Sequence, residues 1–321
     1  MAKRCMGCMK MKNNSPICEH CGYDENIPNP SNTLPIGTVL RGRYQVGRML
    51  DLNDFSITYI GWDNYANSPI AIKEFYPNIL ASRDCSNSLS VSYHDASCQE
   101  YKNRFQLEAR ELWQPNWVYH GIGIHLHNIF EENNTSYMVM EYMEGLSLRE
   151  YLHLRKQPFH LTEILPIMLP VIKTLEQLHE INLVYERFSP DSILIQEDST
   201  VKLLDFVTNS FHRRWKEYNS LDDRYIFINP FFSIETYNTR YGDPGPWSDV
   251  YSVCAILYYC LTGKAPMNCF ERLNGKDTID WKQIPGLSRH QIAALEKGMA
   301  VDYKKRTDSL EELELELFRY D

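Results

Sequence analysis

With 321 residues, 43% of them apolar, the chain can bury a full core and carry a two-lobed domain plus a small appendage. A formal charge of -9 and a pI near 5.6 argue against broad affinity for nucleic acid or anionic lipid. No apolar run approaches the roughly 20 residues that cross a bilayer. The N-terminal MAKRCMGC has no apolar stretch ahead of its cysteines, so it does not read as a signal peptide, and the nine cysteines fit a reducing cytoplasm better than a disulfide framework.

The first 21 residues hold two C-x-x-C pairs, Cys5 with Cys8 and Cys18 with Cys21. Such pairs suit tetrahedral zinc, because each tight turn presents two thiolates to one side of the metal and the hairpin between them closes the site. Residues 1–26 are therefore expected to form a zinc ribbon that folds only with its metal, with His20 surplus once four thiolates are present. Lys3, Arg4, Lys10 and Lys12 precede the first acidic residue, which fits either an acidic partner or a solvated terminus. Residues 27–42, with Pro28, Pro30 and Pro35, read as a linker.

Three strand-like runs follow, Tyr44 to Leu50, Phe55 to Trp62 and Pro69 to Phe75. Residues 76–100 show no period and read as an insertion before a helix at 101–113, which places Phe105, Glu108 and Leu112 on one face. Strands near 124–131 and 136–141 are separated by a polar turn, and the alternating His125 and His127 read as an exposed strand face. Ile164, Met168, Val171, Leu175 and Leu178 step by four and three, giving a buried helix that Pro170 would kink or loosen. Beyond it, ILI at 193–195 and VKLL at 201–204 flank the turn-forming QEDST and predict a β-hairpin. Ser309 and Glu312 predict a capping box on the last helix.

An irregular loop, a hairpin and then Asp205-Phe206 is an order that resembles the catalytic loop and metal-binding segment of eukaryotic-like serine/threonine protein kinases. Tyr185, Glu186 and Arg187 fall on that family's H-R-D, Ser192 on its asparagine, and Asp205-Phe206-Val207 on its D-F-G. Further elements agree in order. The A-I-K at 71–73 matches the nucleotide-binding lysine, Glu108 its helix partner, and Met140 to Gly145 the hinge, in which Glu141 and Met143 would meet the adenine. Glu235 ends an A-P-E-like element, Asp249 opens the central helix, and Arg306 is the counterpart that pairs with Glu235. With the ribbon, SITYIGWD, AIKEFYP and GPWSDVYS look like a bacterial group of zinc-ribbon kinases. The resemblance implies an α+β, two-lobed kinase-like fold at 43–321, its β-rich small lobe at 43–143 and its helical large lobe at 144–321.

The same comparison shows what is missing. Arg187 offers donors only and cannot accept a proton. Glu186 is one residue out of register, on a loop expected to be extended. Ser192 replaces a magnesium ligand, leaving Asp205 as the matched one. The glycine loop is replaced by Asp51-Leu52-Asn53-Asp54-Phe55-Ser56, which puts side chains and two negative charges where backbone should close on phosphates. No intact catalytic set remains. The expectation is a pseudokinase, a signalling scaffold or allosteric partner of an active kinase or its substrate, with structural zinc and weak ATP binding with or without magnesium. An atypical but active phosphate-transferring enzyme, and a zinc-ribbon module for protein or nucleic acid, stay open beside it.

Overall fold

A computed structural model describes residues 3–53, 55–86, 88–112, 125–180, 182–204 and 228–318. The chain divides into two compact units, the first ending at Met143 and the second opening at Glu144. The fold is the expected kinase-like one.

In the first unit, β1 (Lys3–Arg4) pairs with β2 (Met11–Lys12) to form the ribbon hairpin. A six-stranded antiparallel sheet follows in the order β3-β4-β5-β6-β10-β9. Its strands are β3 (Val39–Leu40), β4 (Tyr44–Leu52), β5 (Ser56–Asp63) and β6 (Ser68–Phe75), then, after a small hairpin and a helix, β9 (Leu126–Glu132) and β10 (Thr135–Glu141). Val46, Ile57, Tyr59, Ile70, Ile72, Tyr137 and Val139 supply the buried face, as alternation along pleated strands requires. Asn133 and Asn134 turn β9 into β10 with φ of 51° and 58°, the left-handed pair that a two-residue hairpin loop needs. His125 and His127 are exposed, their rings 5.1 Å apart.

Two segments that look irregular in sequence belong to this core. Leu34, inside the linker, is fully buried and donates its N–H to Tyr59 Oη at 2.9 Å. The insertion forms β7 (Ala81–Ser82) and β8 (Ser92–Tyr93), and Ala81 and Val91 join the same cluster. Arg83 fastens it. Its guanidinium is buried against the equally buried Glu74, which also accepts from Tyr59 Oη at 2.9 Å and Tyr137 Oη at 2.7 Å. Burial works against the charge on Arg83, but Glu74 outweighs it and holds the pKa above the usual arginine value. Helix α1 (Ser97–Leu112) begins four residues earlier than the apolar spacing suggests, and Phe105 packs on Phe75 with ring centroids 5.6 Å apart.

In the second unit, β11 (Leu146–Ser147) pairs with β12 (Ile193–Ile195), which pairs with β13 (Val201–Leu203), the predicted hairpin. Helix α2 (Leu148–Arg155) starts at a capping box of Ser147 with Glu150. Helix α3 (Leu161–Glu180) buries the five foreseen residues and runs through Pro166 and Pro170 as one element. Helix α4 (Pro246–Thr262) is buried on nearly every side, opens with Pro246 in its first turn and stops at Gly263, whose φ of 71° is costly for other residues. Helices α5 (Cys269–Leu273), α6 (Arg289–Gly298) and α7 (Leu310–Leu317) complete it. Ser309 Oγ caps α7 by accepting from Glu312 N at 3.2 Å, but the Glu312 carboxylate receives the N–H of Asp308 instead of that of Ser309, half of the expected box.

Candidate functional sites

The four cysteines of the ribbon converge. Cys5 Sγ lies 3.8 Å from Cys21 Sγ and Cys8 Sγ 3.9 Å from Cys18 Sγ, with all four sulfurs within 4.8 Å of one another. A tetrahedral ion with Zn–S bonds of about 2.3 Å has sulfurs about 3.8 Å apart, so the donor set fits zinc in size and chemistry. The knuckles supply the amides that thiolates need: Gly7 N donates to Cys5 Sγ at 3.3 Å. Burial works against ionising Cys18, yet the backbone N–H groups of His20 and Cys21 bring its pKa down to about 7. Gly7 must lack a side chain because Tyr23 covers it. His20, outside the cluster, faces the Met11 carbonyl at 3.0 Å. Of the basic residues, Lys3 and Lys12 pair with Glu25 at 2.7 and 3.3 Å, and Arg4 stacks over Trp62.

The positions matched to nucleotide and catalysis are divided between the two units. Lys73 sits on β6 between Thr58 of β5 and Met138 of β10 and is 1% exposed. Beside it the Thr58 hydroxyl is buried without a partner among the described residues. Glu141 ends β10, exposed, and Met143 closes the first unit. Glu108 lies on α1, but its side chain, like Asp54 and Asp205-Phe206-Val207, falls outside the described residues.

The turn that stands for the glycine loop is closed by its own side chain. Asn53 Oδ1 accepts from Phe55 N at 3.0 Å, Ser56 N at 2.9 Å and Ser56 Oγ at 3.0 Å, and Asn53 N donates to Ser56 O at 3.0 Å. The amides of Asn53, Phe55 and Ser56 are thereby satisfied within the turn. Phe55 is buried edge-on against Tyr101, and its carbonyl accepts from Tyr76 N at 2.7 Å. Sequence reasoning saw the loss of glycine here but missed this cap, which the short Asn-x-x-Ser spacing signals.

In the second unit the loop is held from beneath by Asp249, fully buried on α4. Its carboxylate accepts from Tyr185 N at 2.9 Å, Glu186 N at 2.9 Å and His179 Nε2 at 2.8 Å. Tyr185, in the histidine place, is buried and donates its hydroxyl to the carbonyl of Leu204, the residue just ahead of Asp205. Glu186 is not extended as expected: its φ is 65°, and its side chain is buried. Arg187 lays its guanidinium over the Phe232 ring, 5.0 Å from the centroid. Ser192 accepts from Ser189 N at 3.4 Å through Oγ, so its hydroxyl serves the loop backbone. Asp191 pairs with Arg149 through two 2.7 Å contacts, a link the sequence reading did not make. Glu235, fully buried, receives Arg306 Nη1 at 2.6 Å and Ser248 Oγ at 2.8 Å.

A family model for the protein kinase domain matches residues 94–315, well over half of the chain. The chain belongs to the protein kinase family. Among curated proteins it is 26% identical to serine/threonine-protein kinase PrkC of Bacillus subtilis, over 73% of this chain and 32% of that one. It is 28% identical to serine/threonine-protein kinase PknL of Mycobacterium tuberculosis, over 71% of this chain and 51% of that one. The chain thus matches only a third to a half of the length of these relatives. Among solved structures, PpkA-294 in its apo form aligns at a TM-score of 0.73 with 24% identity, covering 89% of this chain and all of that one. The PknI kinase domain of Mycobacterium tuberculosis aligns at 0.63 with 16% identity, covering 89% and 98%. These two likenesses speak for the fold. Among the described residues no helix is long and apolar enough to cross a membrane.

Proposed function

We propose that this kinase-family chain is a catalytically impaired member, a pseudokinase acting as a scaffold or allosteric partner for another protein, with zinc held by Cys5, Cys8, Cys18 and Cys21. The observation that carries this reading is Arg187, a permanent cation resting on Phe232 at the place of the proton acceptor. General-base assistance is worth roughly 10²- to 10⁴-fold, and Glu186 is turned into the protein interior rather than standing in for it. The self-capped Asn53 turn and the engaged Ser192 hydroxyl support the same reading, since the amides of Phe55 and Ser56 and the group at the second magnesium-ligand position are taken up within the chain. Buried Lys73, next to a Thr58 hydroxyl without a partner among the described residues, favours retention of a nucleotide site; with Ser192 engaged by the loop, binding there is expected to be weak and to depend little on magnesium.

Calorimetric titration with ATP, with and without magnesium, paired with a radiolabelled autophosphorylation assay, tests this. The expected outcome is weak binding that is indifferent to magnesium, lost in Lys73→Met, and no phosphate incorporation. Sub-micromolar, magnesium-dependent affinity, or robust autophosphorylation by the wild-type chain, would overturn the assignment and favour the active-kinase alternative.

A further inference from the structure

The ribbon and strand β4 share a boundary within the first unit. Along β4 the register against β5 slips: Val46 faces Gly61 and Met49 faces Tyr59, so Gly47 and Arg48 together oppose the single residue Ile60. This β-bulge lies toward the outer edge of the strand, beyond the reach of the two-residue β3. Edge strands carry unpaired backbone groups that invite wrong pairing or fraying. Here those groups are taken up from outside the sheet. Arg48 N donates to Met6 O at 2.8 Å, and Arg48 Nε to Gly7 O at 2.9 Å, both carbonyls lying in the first cysteine knuckle. Asn29 bridges the next positions, its Nδ2 donating to Gly47 O at 3.1 Å and its Oδ1 accepting from Met49 N at 2.8 Å.

The fit is close. A Cβ at Gly47 would lie 2.5 Å from the Met6 carbonyl oxygen and inside the Met9 side chain, so only glycine lets the knuckle reach the strand. On the neighbouring strand, Arg4 places its guanidinium 3.3 Å above the Trp62 ring and donates to Met9 O at 2.8 Å, tying β5 to the same knuckle. Met6 and Gly7 are the two residues between Cys5 and Cys8, so the carbonyls that hold β4 are positioned by a turn whose shape a bound metal fixes. Four residues beyond Met49, the strand runs into the Asn53 turn.

We propose that the metal-loaded ribbon is a brace on the edge of β4, so that metal occupancy at the four cysteines sets the order of β4 and of the 53–56 turn. The proposal rests on the zinc reading given above and on contacts within the first unit alone. On it, metal loss disturbs more than residues 1–26. Without the metal, the knuckle releases Met6 O and Gly7 O, Arg48 loses its backbone acceptor, and the bulge frays toward the turn.

Metal content of the full-length chain, followed by hydrogen–deuterium exchange before and after stripping with a mercurial and chelator, tests it. One equivalent of zinc is expected. Its removal should speed exchange about tenfold or more in peptides covering 44–56 as well as in the ribbon, with α4 peptides unchanged and zinc addition restoring protection. Gly47→Val, which should keep its zinc while pushing the knuckle off the strand, should show the same faster exchange at 44–56. Three outcomes would overturn the brace: acceleration confined to residues 3–26, acceleration spread equally through α4, or full protection of β4 in Gly47→Val. Less than half an equivalent of metal in freshly purified wild-type protein would instead remove the zinc reading, and the brace with it.

Discussion

The Asp249 and Glu235 sites of the second unit and the Asn53 turn of the first treat buried polar groups in opposite ways. At Asp249 and Glu235, carboxylates with no solvent exposure are each met by several donors from distant parts of the chain, so the frame around the loop is a network that no single substitution leaves intact. At Asn53, one side chain satisfies the backbone amides within three residues of itself. On the reading proposed above, the comparison teaches why a kinase frame would outlast kinase chemistry. Framing residues are tied into stability, whereas a phosphate-binding turn can be replaced by any local motif that satisfies its own amides.

The largest effect should come from breaking the network. Arg306→Met leaves Glu235 buried and unpaired, which costs about 3–5 kcal/mol and should lower the thermal midpoint by about 10 °C. The double variant Glu235→Gln with Arg306→Met should recover much of that loss. Differential scanning calorimetry checks both, and additive losses would show that the two residues do not act as a pair.

The turn should respond in the opposite sense. Asn53→Gly removes a local cap at a cost of about 1 kcal/mol or less and frees the amides of Phe55 and Ser56. Triphosphate should then bind about tenfold more tightly, each 1.4 kcal/mol being a factor of ten. Restoring the loop alone, as Arg187→Asp with Ser192→Asn, should leave the chain nearly inactive, and measurable phosphate transfer should require glycines at 51, 53 and 56 as well. Binding isotherms and radiolabel incorporation distinguish these cases; strong activity in the double variant would mean that the turn matters less than its geometry suggests.

A smaller effect is expected between these extremes, at the Arg43–Asp63 pair in the first unit, where Arg43 Nη2 lies 2.6 Å from Asp63 Oδ2. The Arg43 guanidinium holds the Asp63 carboxyl below its usual range, against its partial burial. Stability from this pair is therefore present above the unfolded value of about 3.9 and is lost as pH falls through the lower folded value. Arg43 is one-third exposed, so the pair contributes at most about 0.2–1 kcal/mol. Asp63→Asn should flatten acid unfolding below about pH 4 and change little at neutrality; an unchanged acid limb would assign the loss to other carboxylates.

Much of this was legible in the residues. The strands, the buried helix, the hairpin, the cysteine site and the Glu235–Arg306 pairing carry periodic or spaced signals that survive without structure. Arg83 carried none, because a charged residue in an aperiodic stretch reads as solvated and its partners Glu74, Tyr59 and Tyr137 are remote in sequence. Leu34 was hidden among prolines. Gly47 did signal, since glycine inside a strand marks a close backbone approach, but nothing local says that a cysteine knuckle makes that approach.

The Glu74 cluster also sets a clock for biosynthesis. Arg83 is made nine residues after Glu74, but Tyr137 follows 63 residues after it. At about 5–20 residues per second, that gap keeps the carboxylate without its last hydrogen-bond partner for about 3 to 13 seconds. The ribbon, with all four cysteines made in the first 21 residues, can meet its metal long before β10 exists to complete the sheet. On the ribosome the four-cysteine ribbon is therefore complete before the small unit's core, so the edge of β4 is offered its partner before the strand's own sheet is finished.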